Sequence, residues 1–256
     1  MLTLVVVVML VVCGSGLIWF IHTHSSQSIR PGAGNTAAHV KATATTSANA
    51  NVILIDALSA NIHNWPIAPT GSIIYAFENG AYHITDNNPK QGAPAILPDV
   101  SLSGSFAYTL TMEEIKGNDT SVNNEFGLIV RAGSQNQHGK IVTTFYSFEV
   151  LNTKNGEYQF WKYDSSSGSS SGPWTKLWHH PFGKEFHQGH GSGSINTLKI
   201  FVNGKNFTLI VNGKQIATVS DTSCKGCPCT CSGGIGMWVN FQGTEVAFSN
   251  LRLTHM

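Results

Sequence analysis

The side chains best suited to chemistry are aromatic, acidic and amide groups that alternate with apolar residues. Residues two apart on a β-strand share a face, so the apolar set marks the core side and the intervening set points away from it. This alternation occurs in Glu125–Arg131, in Tyr146–Leu151 and in the later aromatic runs. The predicted ligand-binding face contains Arg131, Glu149, Gln159, Trp161, Tyr163, Trp238 and Asn240. Flat rings cover the apolar faces of sugars, while carboxylate, amide and guanidinium groups hydrogen-bond hydroxyls, so this mixture predicts a carbohydrate site.

A second interpretation of the same residues is purely structural. The tryptophans would then be packing residues, and Arg131 with Glu149 would form a cross-strand ion pair. Buried Trp161 and Trp238 would favour this interpretation, whereas an exposed aromatic groove would favour ligand binding.

Cleavage of a glycan needs more than this mixture, because a retaining glycosidase holds two carboxylates about 5 Å apart. Glu113 and Glu114 are adjacent and therefore point to opposite faces. Glu149 has no acidic residue two positions away, and its pairing with Glu157 across a hairpin depends on register. The sequence therefore favours binding without cleavage and assigns no catalytic residue.

Two clusters of metal-binding residue types also occur. His179-His180 and His187-x-x-His190 have spacings that can bind zinc or copper, although loop histidines are usually solvated. The candidate disulfide cysteines are Cys224, Cys227, Cys229 and Cys231. A zinc site and free thiols are the alternatives for these cysteines. The sequence predicts no cofactor, assigns no metal site and leaves a structural metal ion open.

The charge balance excludes some partners. Only 11% of the residues are charged and the formal net charge is +1. Such a chain has no electrostatic footprint for nucleic acid and no basic patch for anionic lipid.

The elements that must position these side chains are predicted to be β-strands. In residues 196–219, two Asn-Gly pairs, Asn203-Gly204 and Asn212-Gly213, separate alternating runs and predict a three-stranded meander. Asn79-Gly80 and Asn155-Gly156 are two further hairpin signals. About a dozen such runs predict one all-β antiparallel sandwich over residues 51–256.

The first fifty residues have a different composition. Residues 2–21 are apolar and uncharged, long enough for a transmembrane helix, and residues 22–50 read as a flexible Ser/Thr/Ala/Gly stalk. A signal peptide and a start further upstream are alternatives. We expect a single-pass anchor in residues 1–21 that displays the domain outside the cell.

Three segments resemble the concanavalin A-like lectin/glucanase superfamily, and in particular the 3-keto-disaccharide hydrolase domain family and its laminin-G-like relatives. They are Glu125–Arg131, Tyr146–Leu151 with Gly156–Trp161, and Asn196–Ile200 through Gly234–Trp238 to Val246–Asn250. The resemblance implies a jelly-roll sandwich and a protein that binds or cleaves carbohydrate.

Together these observations predict a membrane-anchored extracytoplasmic module that binds carbohydrate or a surface polymer without cleaving it. A hydrolase or lyase acting on keto-disaccharides or glycans is the first alternative. A structural or protein-interaction domain is the second. The sequence does not identify a ligand or an oligomeric state.

Overall fold

Two antiparallel sheets make up the computed structural model, which describes residues 51–121, 123–167, 172–223 and 232–256. The strands in these ranges are β1 Val52–Asp56, β2 Ile73–Glu78, β3 Ala81–Asp86, β4 Ala93–Ile96, β5 Leu102–Ser103, β6 Phe106–Lys116, β7 Glu125–Gln137, β8 Lys140–Leu151, β9 Glu157–Asp164, β10 Trp174–Pro181, β11 Asn196–Asn203, β12 Asn206–Val211, β13 Lys214–Ser220, β14 Ser232–Asn240 and β15 Thr244–His255. A short 3-10 helix, Ser192–Ser194, precedes β11.

Sheet A has the strand order β13-β12-β11-β6-β15-β3-β2, with β1 also paired to β15. Sheet B has the order β10-β9-β8-β7-β14-β4, with β5 also paired to β14. Asn51–Met256 forms one compact unit by its internal contacts. The predicted all-β antiparallel sandwich is confirmed.

The inner faces of the two sheets form one apolar core. On β6, alternate residues Tyr108, Leu110 and Met112 are buried in this core, as are Leu128 on β7 and Phe148 on β8. Burying such side chains supplies most of the stability of a sandwich, at about 25 cal/mol for each Å² of apolar surface. The alternation that packs this core also determines which residues reach the outer face of sheet B.

Two of the four predicted Asn-Gly turns have the expected backbone. Asn79-Gly80 and Asn212-Gly213 each join adjacent strands, and all four residues have positive φ. This combination is typical of a type I′ hairpin.

The other two Asn-Gly turns differ from the prediction. Asn203 is the last residue of β11, so the two-residue loop is Gly204-Lys205, and of these two only Gly204 has positive φ. A glycine at the first central position is typical of a type II′ turn. Asn155-Gly156 belongs to the longer loop 152–156. A Cβ on Gly156 would collide with the Phe182 ring, which explains the glycine without a tight turn.

The predicted anchor and stalk, and the four candidate disulfide cysteines, lie outside the described residues. Among the described residues, no helix is long and apolar enough to cross a membrane.

Candidate functional site

The outer face of sheet B collects most of the residues that the sequence proposed for a site. In an antiparallel sheet, directly opposed residues on neighbouring strands point to the same side. Trp238 on β14 is opposite Gly127 on β7, which is opposite Glu149 on β8. Glu149 is in turn opposite Gln159 on β9, and Gln159 is opposite His179 on β10. One lateral row therefore crosses five strands.

Neighbouring rows complete this face. One contains Asn240, Glu125, Leu151 and Glu157; the next contains Gly236, Ile129, Ser147, Trp161 and Lys176; a third contains Phe145, Tyr163 and Trp174. Six of the seven predicted face residues thus share one side of sheet B.

Arg131 is the exception, and its predicted position on this face is wrong. A β-bulge interrupts the pairing of β7 with β8 between Val130 and Gly133, and Arg131 has a left-handed φ of 55°. A bulge shifts the alternation of side chains between the two faces. The Arg131 guanidinium consequently lies over the core residue Phe207, with its carbon 5.5 Å from the ring centre. It does not form the proposed ion pair with Glu149.

Aromatic rings occupy one half of the face. The Trp174 ring packs against Tyr163 at 4.9 Å, Trp238 at 5.5 Å and Trp161 at 6.1 Å between ring centres. Phe145 packs beneath them against Tyr163 at 4.8 Å. Trp161 and Trp174 are half-buried, whereas Trp238 is only 4% exposed. The first two tryptophans are therefore the ones that present ring surface to solvent.

A chain of hydrogen bonds orders the other half of the face. The Trp161 Nε1 donates to Gln159 Oε1 at 2.6 Å, and Gln159 Nε2 donates to Glu157 Oε1 at 2.8 Å. Glu157 also pairs with His179 Nδ1 at 2.9 Å and Lys176 Nζ at 3.3 Å. Although burial acts in the opposite direction, these partners hold the pKa of Glu157 below its usual value.

Glu149 at the centre of the face has a different environment. It is 2% exposed, and its Oε1 has no hydrogen-bond partner among the described residues. Burial, together with the nearby Glu125 carboxylate, raises the pKa of Glu149 well above its usual value. The buried Trp238 Nε1 is likewise without a partner in the described part of the chain. Ser147 Oγ, in the neighbouring row, is a third such atom, so the floor of the face contains three buried polar atoms without a partner among the described residues.

Three glutamates thus converge on this face from adjacent strands: Glu125 on β7, Glu149 on β8 and Glu157 on β9. Burial raises the pKa of Glu125, which accepts a hydrogen bond from Asn240 Nδ2 at 3.1 Å. The sequence offered Glu149 with Glu157 as a pair if register allowed, and it missed Glu125, Trp174, Lys176 and His179. The strand register that brings these residues onto one face comes from the fold and cannot be read from the sequence.

A second buried glutamate lies away from this face. Glu114, on the inner side of β6, accepts hydrogen bonds from Asn124 Nδ2 at 2.9 Å and from Asn152 Nδ2. His190 Nε2 lies 3.4 Å from Glu114 Oε1 and 3.2 Å from Asp119 Oδ1. Burial raises the pKa of Glu114 to about 6. This network joins the loops at one end of the sandwich, beside an open pocket of about 480 Å³.

No protein-family model matches this chain, and no curated protein matches it. A Bacillus subtilis protein of unknown function with a galectin-like fold is similar over 80% of this chain and 96% of its own, at 11% identity and a TM-score of 0.56. The catalytic domain of an endo-1,3-beta-glucanase (laminarinase) from Thermotoga petrophila RKU-1 is similar over 80% and 97%, at 10% identity and a TM-score of 0.51. At these identities the likeness establishes the fold alone, and the predicted jelly-roll β-sandwich is confirmed. The narrower resemblance to the 3-keto-disaccharide hydrolase domain stays a prediction.

Proposed function

We propose that the outer face of sheet B binds carbohydrate without cleaving it, on a domain that residues 2–21 anchor to the cell membrane and display outside the cell. The observation that carries this proposal is the placement of two half-exposed tryptophans, Trp161 and Trp174, beside an ordered row of hydrogen-bonding groups. Such rings can cover the apolar faces of a sugar while the neighbouring polar groups hydrogen-bond its hydroxyls.

The polar groups suit a ligand with many hydroxyls. Gln159 is only 3% exposed, and its hydrogen bond holds the partly exposed Glu157 in one conformation, so Glu157 has little side-chain entropy to lose on binding a ligand. Asn240 is half-buried and lies at the other side of the face.

The fold neighbours support a carbohydrate-related role and do not distinguish binding from cleavage. One is the catalytic domain of a laminarinase and another is described as galectin-like. Fold does not determine function, so these names only make a carbohydrate-related role more plausible.

The test is a glycan-array screen with the full chain in mild detergent, compared with a Trp161→Ala/Trp174→Ala variant. We expect binding to weaken about tenfold or more. Trp178→Ala is the matched control, because Trp178 lies on the same strand as Trp174 but packs against the core side. Absence of binding by the unchanged chain would favour the structural or protein-interaction alternative. Trp238 is unsuitable for this test because it is buried.

Hydrolysis is the second candidate function, and one observation favours it. Glu149 and Glu157 lie on adjacent strands, and their environments shift their pKa values in opposite directions. A neutral and an ionised carboxyl group on one face are the types of group that a glycosidase uses as general acid and as nucleophile or base. Here the two are offset by two residues, since Glu149 is opposite Gln159 and Glu157 is opposite Leu151.

Release of reducing ends from a glycan identified on the array would distinguish cleavage from binding. In a hydrolase, Glu149→Gln would keep binding and lose product formation. A bound glycan that stays intact over long incubation would support the proposal of binding alone.

A further inference from the structure

A buried histidine and two glutamates converge on the outer face of sheet A, away from the face discussed above. His83 on β3 lies between Glu78 at the end of β2 and Glu245 on β15. Its Nδ1 is 3.1 Å from Glu245 Oε1 and 3.5 Å from Glu78 Oε1. One ligand atom from each of the three residues lies within 4.8 Å of the others. Among the described residues, this is the cluster whose geometry suits a metal ion.

The hydrogen bonds within this cluster cannot satisfy the histidine and both carboxylates at once. Both carboxylate oxygens approach the same ring nitrogen, Nδ1 of His83. An imidazole nitrogen carries at most one proton and can satisfy only one acceptor well. A cation placed between the three atoms would satisfy both carboxylates and the nitrogen lone pair together.

Burial and second contacts hold the ligands in place before any ion arrives. The His83 side chain is 7% exposed and that of Glu245 is 12% exposed, while Glu78 is 52% exposed and leaves the cluster open to solvent on its side. Lys116 Nζ binds the other oxygen of Glu245, Oε2, at 2.9 Å. Hydrogen bonds of this kind to the non-ligating atom orient a metal-binding carboxylate.

We infer that Glu78, His83 and Glu245 form a binding site for a divalent transition-metal ion of the zinc type. Imidazole nitrogen with carboxylate oxygen is a usual ligand set for Zn²⁺, and three protein ligands leave a fourth position for water. Ca²⁺ and Mg²⁺ require oxygen ligands and are disfavoured by the imidazole. This site does not depend on the proposed carbohydrate function.

The experiment measures the number of zinc ions bound per chain, on the untagged full chain after chelator treatment and equilibrium dialysis against Zn²⁺. We compare the unchanged chain with Glu78→Gln, His83→Gln and the control Glu113→Gln. Glu113 is a carboxylate on the same row of sheet A as His83, separated from it by Ala247. We expect one zinc fewer per chain in the first two variants and no change in the control. Glu78 is exposed, so its variant tests the site even if His83→Gln fails to fold.

Cobalt substitution separates this site from metal bound by cysteines. If the cysteines also bind metal, their sulfur-to-cobalt charge-transfer bands will be unchanged in Glu78→Gln, while the weaker bands from nitrogen and oxygen ligation are lost. Excess Ca²⁺ should not displace zinc from the unchanged chain. Equal zinc content in the unchanged chain and in Glu78→Gln would overturn the inference, and so would an equal loss in Glu113→Gln.

Discussion

Glu114 and Glu149 are buried glutamates in the same sandwich, and their carboxyl groups differ in their hydrogen-bond partners. Two asparagine amides donate to Glu114, one to each of its oxygens. Glu149 lies among tryptophans and other glutamates, and its Oε1 has no partner in the described part of the chain. Burial raises the pKa of both residues.

The difference separates a structural role from a functional one. A buried carboxylate that is hydrogen-bonded on both oxygens joins parts of the fold, here the loops at one end of the sandwich. A buried carboxyl group without such partners destabilises the fold, and sites of this kind cluster where a ligand or a proton is handled. The contrast between the two glutamates can be tested by mutation.

The largest effect is expected for Glu114→Ala. It leaves the buried amides of Asn124 and Asn152 without their carboxylate acceptor, at about 1–3 kcal/mol for each unsatisfied group. We expect the free energy of unfolding to fall by about 2–4 kcal/mol in urea titrations at pH 7. Glu113→Ala is the control, since Glu113 is the next residue on β6 and points to the opposite face. Equal losses in the two variants would remove the structural role assigned to Glu114.

Glu149→Gln is expected to raise the free energy of unfolding, by less than Glu114→Ala lowers it. Because the pKa of Glu149 is raised from 4.5, the folded state keeps a proton that the unfolded chain releases above about pH 4.5. Glu149 therefore lowers stability as the pH rises above that value, and glutamine removes this dependence. The variant should be more stable than the unchanged chain at pH 7, and the gain should fade at pH 4. Urea titrations at the two pH values measure this gain. A lower free energy of unfolding for the variant at pH 7 would contradict the contrast between Glu114 and Glu149.

His190→Gln should give the smallest effect. His190 Nε2 lies 3.4 Å from Glu114 Oε1, and the variant loses this contact while Glu114 keeps its two asparagine donors. The His190 side chain is 34% exposed, so solvent limits the contribution to less than about 1 kcal/mol. Urea titrations at pH 7 should therefore show a smaller loss of stability for His190→Gln than for Glu114→Ala. A loss as large as that of Glu114→Ala would contradict the secondary role assigned to His190.

Much of the fold follows from local sequence signals. Alternation along β6 and β8 and the Asn-Gly pairs at 79–80 and 212–213 determine strands and turns from neighbouring residues. The face of sheet B follows in part, because Glu149, Gln159, Trp161, Tyr163, Trp238 and Asn240 keep the simple alternation.

Other features depend on contacts between distant segments. The bulge that turns Arg131 towards Phe207 has no local signal, and neither does the register that brings Trp174 and Glu125 onto the face. The carboxylates near His83 come from residues 78 and 245, which are far apart in the chain. Such pairings are determined by which strands become neighbours, and alternation within one strand does not contain that information.

The two type I′ turns also differ in their expected chemical ageing. An asparagine followed by glycine deamidates when the glycine nitrogen attacks the side-chain carbonyl, which requires the amide to swing freely. Asn212 Oδ1 accepts from Thr197 N at 2.7 Å, and its Nδ2 donates to Glu185 O at 2.6 Å and to Asn196 Oδ1 at 2.8 Å. Asn79 is exposed, and no hydrogen bond holds its amide among the described residues. In a stored sample, isoaspartate would therefore form at Asn79, directly beside Glu78, before it forms at Asn212 in the meander.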